Sequence, residues 1–191
     1  MTYTEPVALY LMLYRYVNGP GATAVFPGSY INYVHSYTSS SQDIIARSEL
    51  YLSLSNPDQA HGQAFNIADN ATAESWVFIW PKLCEYFDLK SQGATPEDKA
   101  WKDIDKWWIA HQEDYRKMCK EYGLCCREVP EATWIFLSAG FTYLGRNREM
   151  SLEKIRNVGF TEEFPLADGY FRVFDRLAKE KILLRREDWV N

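Results

Sequence analysis

The segment Ala64–Leu89, AFNIADNATAESWVFIWPKLCEYFDL, decides how this chain is read. Ala64, Phe65, Asn66, Ile67 and Ala68 have the composition of a short buried strand, and Asp69-Asn70-Ala71 that of a turn. Thr72 stands where an N-cap is wanted. Glu74 would then put a negative charge in the first helical turn, where the helix dipole favours it. Trp76, Ile79, Trp80, Leu83 and Phe87 recur at helical spacing and give one apolar face. Cys84 falls on that face and reads as a small buried hydrophobe.

Outward from this segment the pattern stays helical with brief interruptions. Thr4-Glu5-Pro6 opens a first helix with an acidic residue and an early proline. It runs to about Val17 with Arg15 as the one charge beyond that opening, which makes it a buried helix or one that meets a partner. Asn18-Gly19-Pro20-Gly21 ends it. Phe26-Pro27-Gly28-Ser29 is a turn, Ile31–Tyr37 alternates like a short strand, and Asp43–Leu54 is a helix entered through Ser39, Ser40, Ser41 and Gln42 and stopped by Asn56-Pro57-Asp58. Ser91–Pro96 is a loop. Glu97–Tyr122 reads as two charged helices with Trp101, Ile104, Trp107, Trp108 and Ile109 on their apolar side. Further helices start at Pro130-Glu131-Ala132-Thr133 and at Ser151, the latter ending at Gly159. Pro165–Leu184 is the last helix. These elements predict an α+β fold that is predominantly α-helical, in one domain over residues 1–191.

Composition narrows the function classes. With 191 residues, 47% hydrophobic and 25% charged, the chain can bury a substantial core and is a folded protein. Net charge is -5 and no basic block stands out, which argues against a nucleic-acid partner. The apolar run Val7–Val17 is too short to span a membrane. The four cysteines, Cys84, Cys119, Cys125 and Cys126, form no C-x-x-C pair, and His35, His61 and His111 are scattered, so we expect no metal site. Free thiols and no leader segment imply a reducing, cytoplasmic setting. Seven Trp and 13 Tyr would furnish either an aromatic-lined pocket or simply the core.

Four segments in order carry a resemblance. They are Phe26-Pro27-Gly28; Ser41-Gln42-Asp43-Ile44-Ile45-Ala46; the stretch Asn66–Trp80 with Pro81 and Leu83 behind it; and Ser151-x-x-Lys154-x-Arg156-x-x-Gly159-Phe160, followed by the Phe171–Ile182 helix. Together they resemble the substrate-side half of extended short-chain dehydrogenases of the progesterone 5β-reductase and iridoid synthase type. The similarity extends from about Pro6 to Leu184. The resemblance implies a substrate-binding lobe with a few short strands and no complete Rossmann domain. It also sets what is missing. The family binds NADP(H) at a Gly-rich turn from strand to helix and works with a Tyr and a Lys. Here Gly19-Pro20-Gly21-Ala22-Thr23-Ala24 follows a helix, Pro20 removes an NH, and no βαβ unit surrounds it. No N-x-Y-Y segment with its Lys is present. We therefore expect no cofactor on this chain. Because Met1 leads almost at once into a helix start, we expect the chain to begin there, without the nucleotide-binding half.

Such a lobe implies a cofactor-independent enzyme acting on an apolar, polyketide- or terpenoid-like substrate by cyclisation, rearrangement or isomerisation, with positioning as its main contribution. The alternative is a non-catalytic binding module, or a subunit complementing a separate NADP-binding reductase chain. Tyr33, His35 and Tyr37 would share one strand face and could polarise a carbonyl or shuttle a proton; the same residues equally fit a structural role. Tyr10, Tyr14, Trp134, Phe136, Phe141 and Tyr143 are the candidate pocket wall. Trp76, Trp80, Trp107 and Trp108 read as core, Asp43 and Asp69 as cap or turn residues, and Lys154 and Arg156 as structural. Loss of the partner domain would bare an apolar face, so a homodimer is expected.

Overall fold

The structure is a computed structural model and describes residues 3–99 and 102–190. Its described part is built on one apolar helix. α1 (Thr4–Asn18) buries every residue from Pro6 to Leu13, as its near absence of charge requires, and packs against α7 (Gln112–Tyr122) and α10 (Asp168–Lys179). Gly19, at φ 88, turns the chain out of α1 into β1 (Thr23–Val25). β1 pairs in parallel with β2 (Lys90–Gln92), in the register Ala24 to Ser91. Between them run α2 (Tyr30–Val34), α3 (Gln42–Leu54), α4 (Pro57–Ala60) and α5 (Trp76–Tyr86). α6 (Ile104–Ala110), α8 (Glu131–Thr142) and α9 (Glu153–Asn157) complete the helices named so far, and a 3-10 turn (Arg186–Val190) follows α10. The described residues are thus largely helical, with one two-stranded parallel sheet and no complete Rossmann sheet.

α5 supplies the centre of the main core through Trp76, Ile79, Trp80, Leu83 and Cys84, and the Trp80 indole N–H donates to Ala24 O at 3.2 Å, tying helix to sheet. A second, smaller core gathers Ile44, Ala68, Leu152, Ile155, Phe160 and Phe164 under α3 and α9. Gly28 is there because nothing larger fits. A Cβ would stand 2.5 Å from Phe141 O and 2.8 Å from the Phe26 ring.

Several expectations from sequence are corrected. Residues 64–68 lean on the smaller core but form no strand; Ser40 donates its hydroxyl to Ile67 O at 2.5 Å, and just beyond the segment Asp69 N–H donates to Ser39 O at 2.7 Å. Ile31–Tyr37 is not a strand either. Ser29 caps α2, accepting from the Asn32 side chain at 3.0 Å and from its N–H at 3.4 Å, so Tyr33 sits on a helix, His35 at its C-cap, and only Tyr37 is bridged. α5 starts at Trp76, with Ser75 rather than Thr72 in the cap position, because Glu74 is held extended by two 2.7 Å backbone bonds with Tyr37. α10 is shorter than Pro165–Leu184: Ala167 adopts a left-handed conformation before it, and beyond Lys179 the chain breaks to bury Leu183 and Leu184. Of the two strands found, β1 lies between the stop at residues 18–21 and the turn at 26–29, where no element was read, and β2 overlaps the start of the 91–96 loop. Trp101 lies outside the described residues.

Candidate functional site

The site is organised around Tyr37. Its backbone pairs with Glu74 on one side, while Thr38 N–H donates to Arg148 O at 3.1 Å and Arg148 N–H to Ser36 O at 2.9 Å on the other. Three short segments therefore meet with Glu74, Tyr37 and Arg148 abreast. The Arg148 guanidinium stands 5.6 Å over the Tyr37 ring. Beside them opens a cavity of about 550 Å³ between the start of α1, the 37–42 segment, α8 and α10. Its apolar wall is Trp76, Phe141, Val173 and Leu177; its polar wall is Tyr37, Tyr170, Asp69, Arg148 and Arg176. Trp76 is the hub, with ring centroids 4.8 Å from Phe141, 5.9 Å from Tyr37 and 6.1 Å from Tyr170.

Glu74 is the unusual group. It is 3% exposed, and among the described residues its Oε2 has no hydrogen-bond partner. Burial, and then the charge of Asp69, push its carboxyl up to about 7, against the smaller opposing pull of Lys82 and Ser39. The Tyr37 and Tyr170 phenols are both raised, by burial first; Tyr37 is raised further by Tyr170 and Glu74, and Tyr170 by Glu74 and Asp69. Asp69 is anchored: it accepts the Ser41 hydroxyl at 2.5 Å and the Ser41 N–H at 3.0 Å, while Ser41 caps α3. Burial still raises the Asp69 carboxyl. Gly169 leaves room for this pair, since a Cβ there would stand 2.9 Å from Asp69 Oδ2. Arg176 is already engaged, clamping Asp43 with two bonds of 2.9 and 3.0 Å. A buried acid poised near neutrality behind two phenols can hold or give up a proton at the cavity wall.

The residues anticipated from sequence are placed as follows. Tyr37 and Phe141 line the cavity. Tyr33 packs on Phe26, ring centroids 5.0 Å apart, and over Gly93, while His35 stands at the end of α2. Tyr10 and Tyr14 cluster with Trp107, and Tyr14 donates its hydroxyl to Thr23 O at 2.8 Å. Trp134 is buried against Trp108, Phe136 stacks on Tyr3 at 4.8 Å, and Tyr143 is 80% exposed. Trp76, read as core, both packs the core and faces the cavity. Glu74, Tyr170 and Arg148 were missed. The acidic pair Asp69 and Glu74, just ahead of the apolar helix that begins at Trp76, was the one signal available.

A dinucleotide cradle is not formed by the described residues. The Gly19–Ala24 turn joins helix to strand, the reverse of the required order, and the turn from β1 into α2 is closed by Phe141 against Gly28.

The chain matches the family described as PRISE-like Rossmann-fold domain over residues 1–184, and it belongs to that family. It is 48% identical to the short chain dehydrogenase ausT of Aspergillus calidoustus over 181 residues, covering 95% of this chain and 44% of that protein. It is 32% identical to the short chain dehydrogenase sirR of Leptosphaeria maculans, covering 93% of this chain and 45% of the relative. An uncharacterized protein of Schizosaccharomyces pombe is 26% identical over 92% of this chain and 50% of its own length. The chain spans about half the length of the curated relatives it matches. No helix among the described residues is long and apolar enough to cross a membrane.

Proposed function

We propose that the cavity beside Tyr37 binds a small organic molecule with an apolar body and a carbonyl or hydroxyl head, and that the chain promotes a non-redox cyclisation, rearrangement or isomerisation of it. The observation that carries this reading is the buried Glu74 carboxyl, one oxygen without a partner among the described residues, on the segment bridged to Tyr37, whose ring lines a 550 Å³ cavity together with Tyr170. In this reading Trp76, Phe141 and Leu177 hold the apolar body in a reactive fold. The phenols donate to the head oxygen as negative charge develops there, and Glu74 takes up or returns the proton through them. Substrate of polyketide or terpenoid type suits the size and lining of this space. Exposed Ile31 on α2, Ile135 on the adjoining α8 and Tyr143 at the end of α8 favour self-association into a homodimer, which a sizing column reporting a monomer at micromolar concentration would contradict.

A second reading is favoured by one observation: relatives named short chain dehydrogenases are about twice as long. In it the chain is the substrate-binding part that completes a separate NADP-binding reductase chain. One experiment separates the two. Metabolites that change when the gene is deleted are given to the purified chain, with and without NADPH and a nucleotide-binding partner. Conversion by the chain alone supports the first reading; conversion only with both additions supports the second.

A further inference from the structure

Away from this site, the end of α7 and the segment that follows it place two thiols together. Gly123, at φ 63, stops α7, and both its N–H and that of Leu124 donate to Cys119 O, the latter at 2.8 Å. The chain then runs back along α7, because Arg127 N–H donates to the Tyr115 hydroxyl at 3.2 Å. Tyr115 and Cys119 are one turn apart on the same face. Cys126, next to Arg127, is thereby brought to the Cys119 side of α7, where both line one cavity and Cys126 helps to raise the Cys119 thiol. Both line a cavity of about 590 Å³ with Trp108 and Leu124. Cys125 is drawn the other way: its N–H donates to Lys181 O at 2.7 Å, beyond α10. Cys126 is exposed and Cys119 buried.

We propose that Cys119 and Cys126 are a dithiol that a small-molecule disulfide such as oxidised glutathione converts into an intramolecular disulfide. The Cys126 thiolate attacks one glutathione sulfur and expels the other as a thiolate, leaving a mixed disulfide. Cys119 gives its proton to solvent, attacks the Cys126 sulfur and expels the second glutathione. The protein loses two hydrogens and two electrons, and oxidised glutathione is reduced to two thiols. Burial, reinforced by Cys126, pushes the Cys119 thiol up to about 12, which makes the second step the slow one and hastens it as pH rises. The new bond fixes the 123–127 segment on α7 and locks the wall of the second cavity.

The test is oxidation of the folded full chain with oxidised glutathione, quenching by alkylation, and tryptic mapping. Trypsin places Cys119 in residues 118–120 and Cys125 with Cys126 in residues 121–127. The expected product is those two peptides linked, in yield unchanged by Cys125→Ser and reduced about tenfold or more by Cys126→Ser. Prior unfolding in urea should scramble the linkage. A link that survives Cys126→Ser, a vicinal Cys125–Cys126 bond as the main product, or a glutathione adduct that never resolves onto Cys119 would each overturn the proposal.

Discussion

Two aromatic clusters in this molecule look alike in sequence and differ in what they can do. Around α1, α6 and α8, Tyr10, Tyr14, Trp107, Trp108 and Trp134 pack ring on ring, the Tyr14 hydroxyl donates to Thr23 O, and none of the five has a buried side-chain polar atom without a hydrogen-bond partner. Around Tyr37, the rings of Trp76, Phe141 and Tyr170 line a cavity instead, and a carboxyl oxygen of Glu74 is buried beside them without a hydrogen-bond partner among the described residues. Aromatic content therefore does not mark the site. An unmatched buried polar group among the aromatics does, because leaving one costs free energy that a purely structural cluster has no reason to carry.

Substitutions can break that contrast from either end. The largest stability effect is expected in the filled cluster, where Trp134→Ala should cost about 3–5 kcal/mol in urea unfolding. On the cavity side, Tyr170→Phe removes only a hydroxyl. It should leave stability within about 1 kcal/mol of the parent while lowering turnover of the cavity substrate about 100-fold, roughly 2.7 kcal/mol of barrier. Equal losses of stability from both substitutions would erase the distinction.

Glu74→Gln gives the next effect, and its sign depends on pH. Burial raises the folded carboxyl from 4.5 to about 7, so the native state binds more protons than the unfolded state between those values. The stability contributed by this group is complete below about 4.5 and is lost as pH rises through about 7. The variant lacks that dependence. It should be more stable than the parent at pH 8 by order 2 kcal/mol, allowing for solvent reaching the cavity side, and should lose this advantage at pH 5. The smallest effect is expected at Tyr143, 80% exposed: Tyr143→Ala should change stability by less than about 0.5 kcal/mol.

Much of the helical scaffold was legible because its signals are local. The apolar surface of α1, the Ser41 cap of α3 and the Gly159 stop after α9 each lie within a few residues of what they control. The site was less legible because its parts meet across the chain. Alternation in Ile31–Tyr37 and apolarity in residues 64–68 report burial, and burial alone does not supply a strand partner. Glu74 looked like a first-turn helix charge; what buries it is a backbone pairing with Tyr37, which no local pattern announces. Tyr170 reaches the cavity only because α10 packs on α1. Of the residues singled out from sequence, Tyr37 and Phe141 reach the cavity, and Trp76, read as packing, is its central ring.

The most direct test of the account is the titration of Glu74 itself, by carbon-13 NMR of glutamate side-chain carboxyls in the native protein. The account predicts one glutamate with a midpoint near 7, absent from Glu74→Gln and displaced when a ligand fills the cavity. Glutamates that all titrate near 4.5 would contradict it.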